Sequence, residues 1–406
     1  MKFSIVIPTR NNDQTISKTI DSCLNLNYSD FEIIIQDNSS NNETFKIIQE
    51  YNNPRIKYFK NVTELHMTEN WNLAVENSSG EWVILLGGDD AIRRNALQKI
   101  EEVIVSTSVE SITWSLAVYT WPNFGFPDKA QLLSIPPTTK EFTLCEVRPE
   151  FKNLLEGKIS ALPSIYYGCI RRTLIDKVLE SGPLFDSRNP DLFATTMFAF
   201  LTSSFVRINS PLTIAGFSRS STITALTSKS KDFSELIIDG LNLLQNSKIS
   251  MHELVPVVDL ECAWVLDALL IARDRLGITD RSFKITTSQV AKLIESELIE
   301  TFRVDAQMTK VLEIWAKRWN QEIKITSGSG SKRDQLKQLP LFGETGKLGN
   351  FFLVNCRELG VRNIVEASDY LDMVEKVSPL LEMAHQDLLE RVKKYEEYLN
   401  DLRSKQ

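Results

Sequence analysis

The sequence predicts an α/β fold: a doubly wound, mostly parallel sheet, followed by an α-helical C-terminal region. Three apolar runs carry that expectation. Ser4-Ile5-Val6-Ile7 leads into Pro8-Thr9-Arg10-Asn11, Phe31-Glu32-Ile33-Ile34-Ile35-Gln36 into Asp37-Asn38-Ser39-Ser40, and Trp82-Val83-Ile84-Leu85-Leu86 into Gly87-Gly88-Asp89-Asp90. Continuous β-branched and aliphatic runs of this length read as strands covered on both faces, the mark of a parallel sheet between helical layers. In open parallel sheets ligands bind beyond the carboxyl ends of the strands. All three ends here deliver hydroxyls, amides or carboxylates to that edge.

Helical patterns separate the runs. Ile16, Ile20 and Leu24 repeat at four residues behind polar Asn12 and Asp13. Ser40-Asn41-Asn42-Glu43 has capping-box spacing and opens a helix whose apolar face is Ile47, Ile48 and Tyr51. Arg55 to Phe59 reads as a short strand, and a helix from about Thr68 to Asn77 carries Trp71, Ala74 and Val75. From Ile112 to about Gly216 strand-like pieces (Ile112–Tyr119, Phe205–Ile208) mix with helical ones (Leu174–Leu179, Leu192–Leu201). Beyond that the chain reads as helical over Leu236–Leu244, Leu254–Leu276 and Val290–Trp319, with a break near Gly277. Thr326 to Ser331 has linker composition. Ser378-Pro379 then starts a helix in which Leu381, His385, Leu388, Val392, Tyr395, Leu399 and Leu402 follow heptad spacing. The expected division is a first domain over 1–225, a helical accessory region over 226–325, a flexible linker over 326–334 and a C-terminal helical segment over 335–406. That last helix either packs on its own domain or pairs copies of the chain as a coiled coil.

Bulk properties narrow the class. A chain of 406 residues with a formal charge of −7 and no Lys/Arg block offers nucleic acid no attraction. Five scattered cysteines without Cys-x-x-Cys spacing fit reduced thiols in a cytoplasmic protein better than disulfides or a zinc site. The sequence shows neither a basic-then-apolar leader nor a run near the roughly 20 apolar residues of a membrane span. The expectation is a soluble protein without a membrane span, with peripheral attachment at the inner face of a membrane left open.

Asp89-Asp90 is the sharpest chemical feature. Adjacent carboxylates after a buried strand are costly unless a cation neutralises them, and Mg²⁺ or Mn²⁺ commonly bridges carboxylates to substrate phosphates. A solvated turn capping the next helix would explain the pair equally well in isolation. Asp37 sits where a carboxylate could accept the ring N–H of a base, with Asn38 beside it. Thr9 and Arg10 end the first strand, and Asn70 would face the same cleft. Each also has an ordinary explanation as a helix cap or a surface residue.

In this order, these segments resemble the family 2 glycosyltransferases of the GT-A fold, as do His66-Met67-Thr68-Glu69-Asn70-Trp71-Asn72 and Ser79-Gly80-Glu81-Trp82-Val83. The resemblance covers roughly the first 220 residues and is strongest to Leu97. It implies a GT-A domain over 1–225, a nucleoside-diphosphate sugar donor, Mg²⁺ or Mn²⁺, and inverting transfer to an acceptor hydroxyl in cell-surface glycan synthesis. The acceptor would be a glycan, a lipid-linked sugar or a protein. By position Pro8, Thr9 and Asp37 would hold the base, with Arg10, Asn38 and Asn70 completing the donor site. Asp89 would lie near ribose or metal, and Asp90 would be the metal ligand. Gly88 stands where relatives often have the first acid of a triplet. Inverting transfer needs a base at the acceptor hydroxyl, and Asp191, after Pro190 and before an apolar helix, resembles the family's base-bearing segment, with Asp186 as the fallback. Ser218 to Ser221 resembles the stretch that closes over the donor. Two readings compete: a non-catalytic, degenerate nucleotide-sugar-binding or assembly subunit, and a nucleotidyltransferase. The second would need a glycine-rich basic loop where Asn11-Asn12-Asp13-Gln14 stands.

Overall fold

The computed structural model describes residues 1–39, 41–125, 129–137, 142–155, 162–221, 249, 251–258, 260–280, 284–300, 306–325, 346–348 and 351–375. The first half alternates strand and helix: β1 (Phe3–Thr9), α1 (Ile16–Leu24), β2 (Phe31–Asp37), α2 (Asn42–Gln49), β3 (Ile56–Lys60), α3 (Met67–Glu76) and β4 (Trp82–Leu85). Every residue of β1, β2 and β4 is buried. Alternate side chains enter two apolar clusters: Ile5, Ile7, Ile33, Ile35 and Ile84 on one face, Val6, Ile34, Val83 and Leu85 on the other. Both faces are therefore covered, as the unbroken apolar runs require, and each such side chain contributes about 1.5–3 kcal/mol. At α2 the capping residue is Asn41, whose side chain accepts from the Thr44 amide at 3.0 Å; Ser40 lies outside the described residues. At α3 His66 and Glu69 form a reciprocal capping box.

The chain continues through β5 (Ala91–Ile92), α4 (Ala96–Thr107), β6 (Ser111–Trp114), β7 (Ala117–Thr120), β8 (Leu132–Ile135), β9 (Phe142–Glu146), α5 (Val147–Leu155), β10 (Gly168–Arg171), α6 (Arg172–Leu179), α7 (Pro190–Leu201), β11 (Ser204–Ile208) and β12 (Thr213–Phe217). The main sheet has the order β3-β2-β1-β4-β10-β6-β11-β9. Its first four strands are mutually parallel, and β10 runs antiparallel between β4 and β6. The run read as one strand over Ile112–Tyr119 divides into β6 and β7, which belong to different sheets.

Next come α8 (Glu261–Arg275), α9 (Thr287–Glu300) and α10 (Ala306–Arg318). Ala268, Ile271 and Ala272 of α8 share one apolar cluster with Phe193, Met197 and Phe198 of α7. The helices thus extend the core of the sheet domain. The C-terminal stretch, expected to be helical over 335–406, contains the hairpin β13 (Gly346–Leu348) and β14 (Phe351–Asn355) before a helix over 364–375, α11. β14 pairs antiparallel with β8, which completes a second sheet of order β13-β14-β8-β7-β12-β5. The Leu236–Leu244 helix, the linker over 326–334 and the heptad helix from Ser378 lie outside the described residues.

Candidate active site

Parallel register places Thr9, Asp37 and Lys60 side by side at the carboxyl edge. Pro8, Thr9 and Asp37 are buried there. The Asp37 carboxylate accepts the Tyr58 hydroxyl at 2.6 Å, and burial together with that acid pushes the phenol well above its usual range. Asn38 and Asn70 are both engaged inside the chain. Asn38 donates to the Leu65 carbonyl at 2.8 Å and accepts from the Leu65 amide at 2.9 Å and from Asn61 Nδ2 at 2.9 Å. Asn70 accepts from the same Asn61 amide at 2.8 Å and donates to the Gln36 carbonyl. These two amides therefore fix the loop over 61–65 as a wall of the cleft. Arg10 pairs with Glu64 of that loop at 2.7 Å. Tyr58 and Asn61 carried no signal in the sequence, since their roles depend on β3 lying beside β2.

Beyond β4 the chain turns through Gly87-Gly88 into the acid pair. Asp90 is 1% exposed and its carboxylate is held on three sides. Oδ2 accepts the Gly87 amide at 2.8 Å and the Tyr166 hydroxyl at 3.0 Å, while Oδ1 accepts the Gly216 amide at 2.8 Å. Asp89 accepts instead from rotatable hydroxyls, Ser218 at 2.7 Å and Ser221. Its carbonyl takes the Trp121 indole N–H at 2.9 Å, so this buried tryptophan, just past β7, seals the turn. Burial first, and Asp89 second, push the Asp90 carboxyl up to about 7; burial also raises Asp89. No basic side chain is among the groups acting most strongly on either acid.

The third corner lies across Tyr166 and Tyr167, between β4 and the start of β10. The Tyr167 hydroxyl donates to that of Tyr166 at 3.2 Å, and Tyr166 donates on to Asp90. Tyr166 is packed between Trp71, with ring centroids 5.5 Å apart, and Tyr167 at 4.1 Å. On the far side of the tyrosines a cavity of about 400 Å³ is lined by both rings, Trp114, Thr195 and Asp191. Asp191 occupies the first turn of α7 after Pro190, and burial raises its carboxyl although nearby N–H groups oppose the shift. Asp186, the fallback base, is ion-paired with Arg275. Arg172 donates to the Gly80 carbonyl and to Ser78, and so is tied to the sheet.

Residues 4–147 match the model of glycosyl transferase family 2. This region is a family 2 glycosyltransferase domain. Its match takes in Thr9, Asp37, Asn70 and the acid pair and stops before Tyr166 and Asp191. The chain is similar to the GalNAc(5)-diNAcBac-PP-undecaprenol beta-1,3-glucosyltransferase of Campylobacter jejuni, 33% identical over 24% of this chain and 33% of that protein. An uncharacterized glycosyltransferase of Haemophilus influenzae is 25% identical over 57% of this chain and 75% of its own. Among solved structures it is similar to Staphylococcus aureus TarS in complex with UDP-GlcNAc, at 18% identity and a TM-score of 0.45, covering 81% of this chain and 98% of that one. The chain spans about a third of the Campylobacter protein and under a fifth of the full-length S. aureus TarS.

Proposed function

We propose that the protein transfers a sugar, with inversion, from a nucleoside-diphosphate sugar to a hydroxyl of a glycan, lipid-linked or protein acceptor during cell-surface glycan synthesis. The supporting observation is the buried acid pair, with no ion-pair partner among the described residues, at the carboxyl edge of a family 2 domain. The Campylobacter relative is named for an undecaprenol-linked acceptor, which favours the lipid-linked class. Among the described residues no helix is long and apolar enough to cross a membrane, and peripheral attachment at the cytoplasmic face would bring such an acceptor to the site.

A divalent cation, Mg²⁺ or Mn²⁺, fits the pair. The described residues hold no group of three or more His, Cys, Asp or Glu arranged for a metal. Diphosphate oxygens and water would therefore supply the remaining positions of such an ion. Asp90 is engaged by two backbone amides and a phenol, whereas the partners of Asp89 can swing away. This favours Asp89 as the cation's carboxylate and Asp90 as the anchor of the turn, a reversal of the order the resemblance implies. When bound, the ion neutralises charge gathering on the departing diphosphate. Pro8, Thr9 and Asp37 hold the base, the Arg10–Glu64 pair and the loop fixed by Asn38 and Asn70 border the donor, and Asp191 takes the proton of the attacking hydroxyl.

The test is nucleotide release from UDP, GDP and dTDP sugars with Mn²⁺. Wild type should release nucleotide from one donor class. Asp89→Asn should lose turnover and donor binding, and Asp191→Asn should lose transfer while still binding donor nucleotide. Binding without release in wild type would leave the assembly-subunit reading standing instead.

A further inference from the structure

The cavity beside Asp191 is lined by one acid and one cation, each from a different element: Asp191 from the first turn of α7 and Arg207 from β11. Strand alternation brings the arginine there. Val206 and Ile208 enter the apolar cluster of the main sheet, while Phe205 lies on the other face and joins a cluster with Ala263 and Leu266 of α8. Arg207 shares the face of Phe205, where that cluster gives way to the cavity, and it is the exposed residue of β11. Its register partner on β6 is Thr113, which lines the same cavity.

The two charges do not neutralise each other. Burial raises the Asp191 carboxyl, and the groups that oppose the shift are backbone N–H groups of its own turn, with no arginine among them. Among the described residues Arg207 makes no ion pair; the neighbour that feels its charge is the Cys145 thiol, a weak acceptor. Ser115 and Thr195, also on the wall, make no side-chain hydrogen bond among the described residues. The cavity therefore offers a guanidinium fork and two hydroxyls as donors, apart from a carboxylate that stays uncompensated. A planar fork backed by hydroxyls matches the oxygens of a phosphate.

We propose that Arg207 determines the acceptor class: it binds a phosphate ester carried by the acceptor while Asp191 faces the acceptor's free hydroxyl. The cavity thereby selects a sugar or polyol esterified with phosphate over an uncharged glycan end. The diphosphate of a lipid-linked sugar and the phosphodiester of a polyol phosphate chain both present this group. A volume of about 400 Å³ lies within the range of small-molecule sites. The inference rests on the reading of Asp191 as the acceptor side of the site, but its test does not need turnover.

Ligand-observed NMR on the full chain, without divalent cations, compares N-acetylglucosamine 1-phosphate and ribitol 5-phosphate with N-acetylglucosamine and ribitol. Wild type should bind at least one ester about tenfold more tightly than its neutral parent. That is the low end for a hydrogen bond to a charged group, because Arg207 is exposed. Arg207→Met should lower the preference to about twofold or less, and Arg207→Lys, which keeps the charge without the fork, should retain part of it. Added salt should erode the preference in wild type and leave Arg207→Met unmoved. Neither substitution should lower the melting temperature by more than a few degrees, as expected for an exposed side chain. Preference for the sugar ester assigns the lipid-linked source and preference for the polyol ester assigns the chain; either upholds the proposal. Equal binding of esters and neutral parents, no binding of either ester, or an ester preference untouched in Arg207→Met overturns it. Nucleotide release, assayed separately, reports on the transferase reading: release with an indifferent Arg207 sinks only this inference, and ester selection without release sinks only the other.

Discussion

Replacing Asp89 by Asn should abolish turnover and make the ligand-free protein more stable. The Asp90 carboxyl rises from 3.8 to about 7, first through burial and second through the charge of Asp89. Each pKa unit that the charge of Asp89, the second cause of that rise, accounts for is worth about 1.4 kcal/mol against the doubly ionised pair. An amide at position 89 removes that share. It loses little in exchange, because Ser218 and Ser221 can rotate to accept from Nδ2 as readily as they donate to a carboxylate. The pH dependence has a definite sign. A folded-state pKa above the unfolded one contributes stability that is fully present below about pH 4 and is lost as pH rises through 7. Urea unfolding followed by tryptophan fluorescence, without divalent cations, should therefore show wild type weakening from pH 5 to pH 8. Asp89→Asn should be more stable at pH 8, by on the order of 1 kcal/mol, with a flatter profile. Mn²⁺ at a hundred times its dissociation constant should stabilise wild type by about 2.7 kcal/mol and leave the variant unmoved. A variant that is less stable at pH 8, or that still responds to Mn²⁺, would refute the view that this acid pair is held in readiness for a cation.

Two further substitutions test the frame around the site. His66 caps α3 with its ring neutral, and burial pulls its pKa down to about 4. Below pH 6.5 the unfolded chain takes up a proton that the folded one refuses, so about 3 kcal/mol is lost as pH falls from 6.5 to 4. His66→Asn keeps a good cap and should remove that part of the acid slope; identical slopes in denaturation at pH 7 and 4.5 would refute it. Arg93, three residues past Asp90, is clamped by Asp372 and Glu375 of α11 and donates to the Pro211 carbonyl. Arg93→Met should cost about 3 kcal/mol, the low end for breaking a buried pair because both acids are about a quarter exposed. Limited proteolysis should then release the segment over 346–375, and an unchanged cleavage pattern counts against the clamp.

The parts legible in the sequence were those with a one-dimensional signature. β1, β2 and β4 are covered on both faces, so their apolar runs are continuous, and two acids after such a run stand out against what burial permits. The second sheet left no comparable mark. β5 has two residues, β7 is half-buried at alternate positions, and β14 finds β8 across more than two hundred residues of chain. Short strands joined non-locally carry no periodicity to read. The same reason hid Tyr166, which reaches Asp90 only because β10 enters the sheet antiparallel beside β4, and Ser218, which reaches Asp89 only because β12 lies beside β7 and β5. Asn38 and Asn70 were visible as polar groups at the right edge. Their partner Asn61 was not, and it is Asn61 that turns both toward holding a loop.

The missing first acid of the family's triplet bears on whether the site is degenerate. A Cβ on Gly87 would stand 2.8 Å from both Asp90 Oδ2 and the Tyr166 hydroxyl, and one on Gly88 would stand 2.9 Å from Thr9 Oγ1 and 3.0 Å from Asn12. Neither glycine faces a void left by a lost side chain. At Gly87 the space is filled by a phenol that donates to the anchoring acid, and at Gly88 by Asn12, which accepts from Thr9 and from the Arg10 amide and reaches Ser220 across the cleft mouth. A decaying site would show cavities and unpartnered groups where the acid had been. Here the space beside the glycines is packed by Tyr166, which donates to Asp90 after β4, and by Asn12, which accepts from Thr9 at the end of β1. At both glycines the space a side chain would need is therefore taken by groups that hold the acid turn and the end of β1 in place, Tyr166 at Gly87 and Asn12 at Gly88.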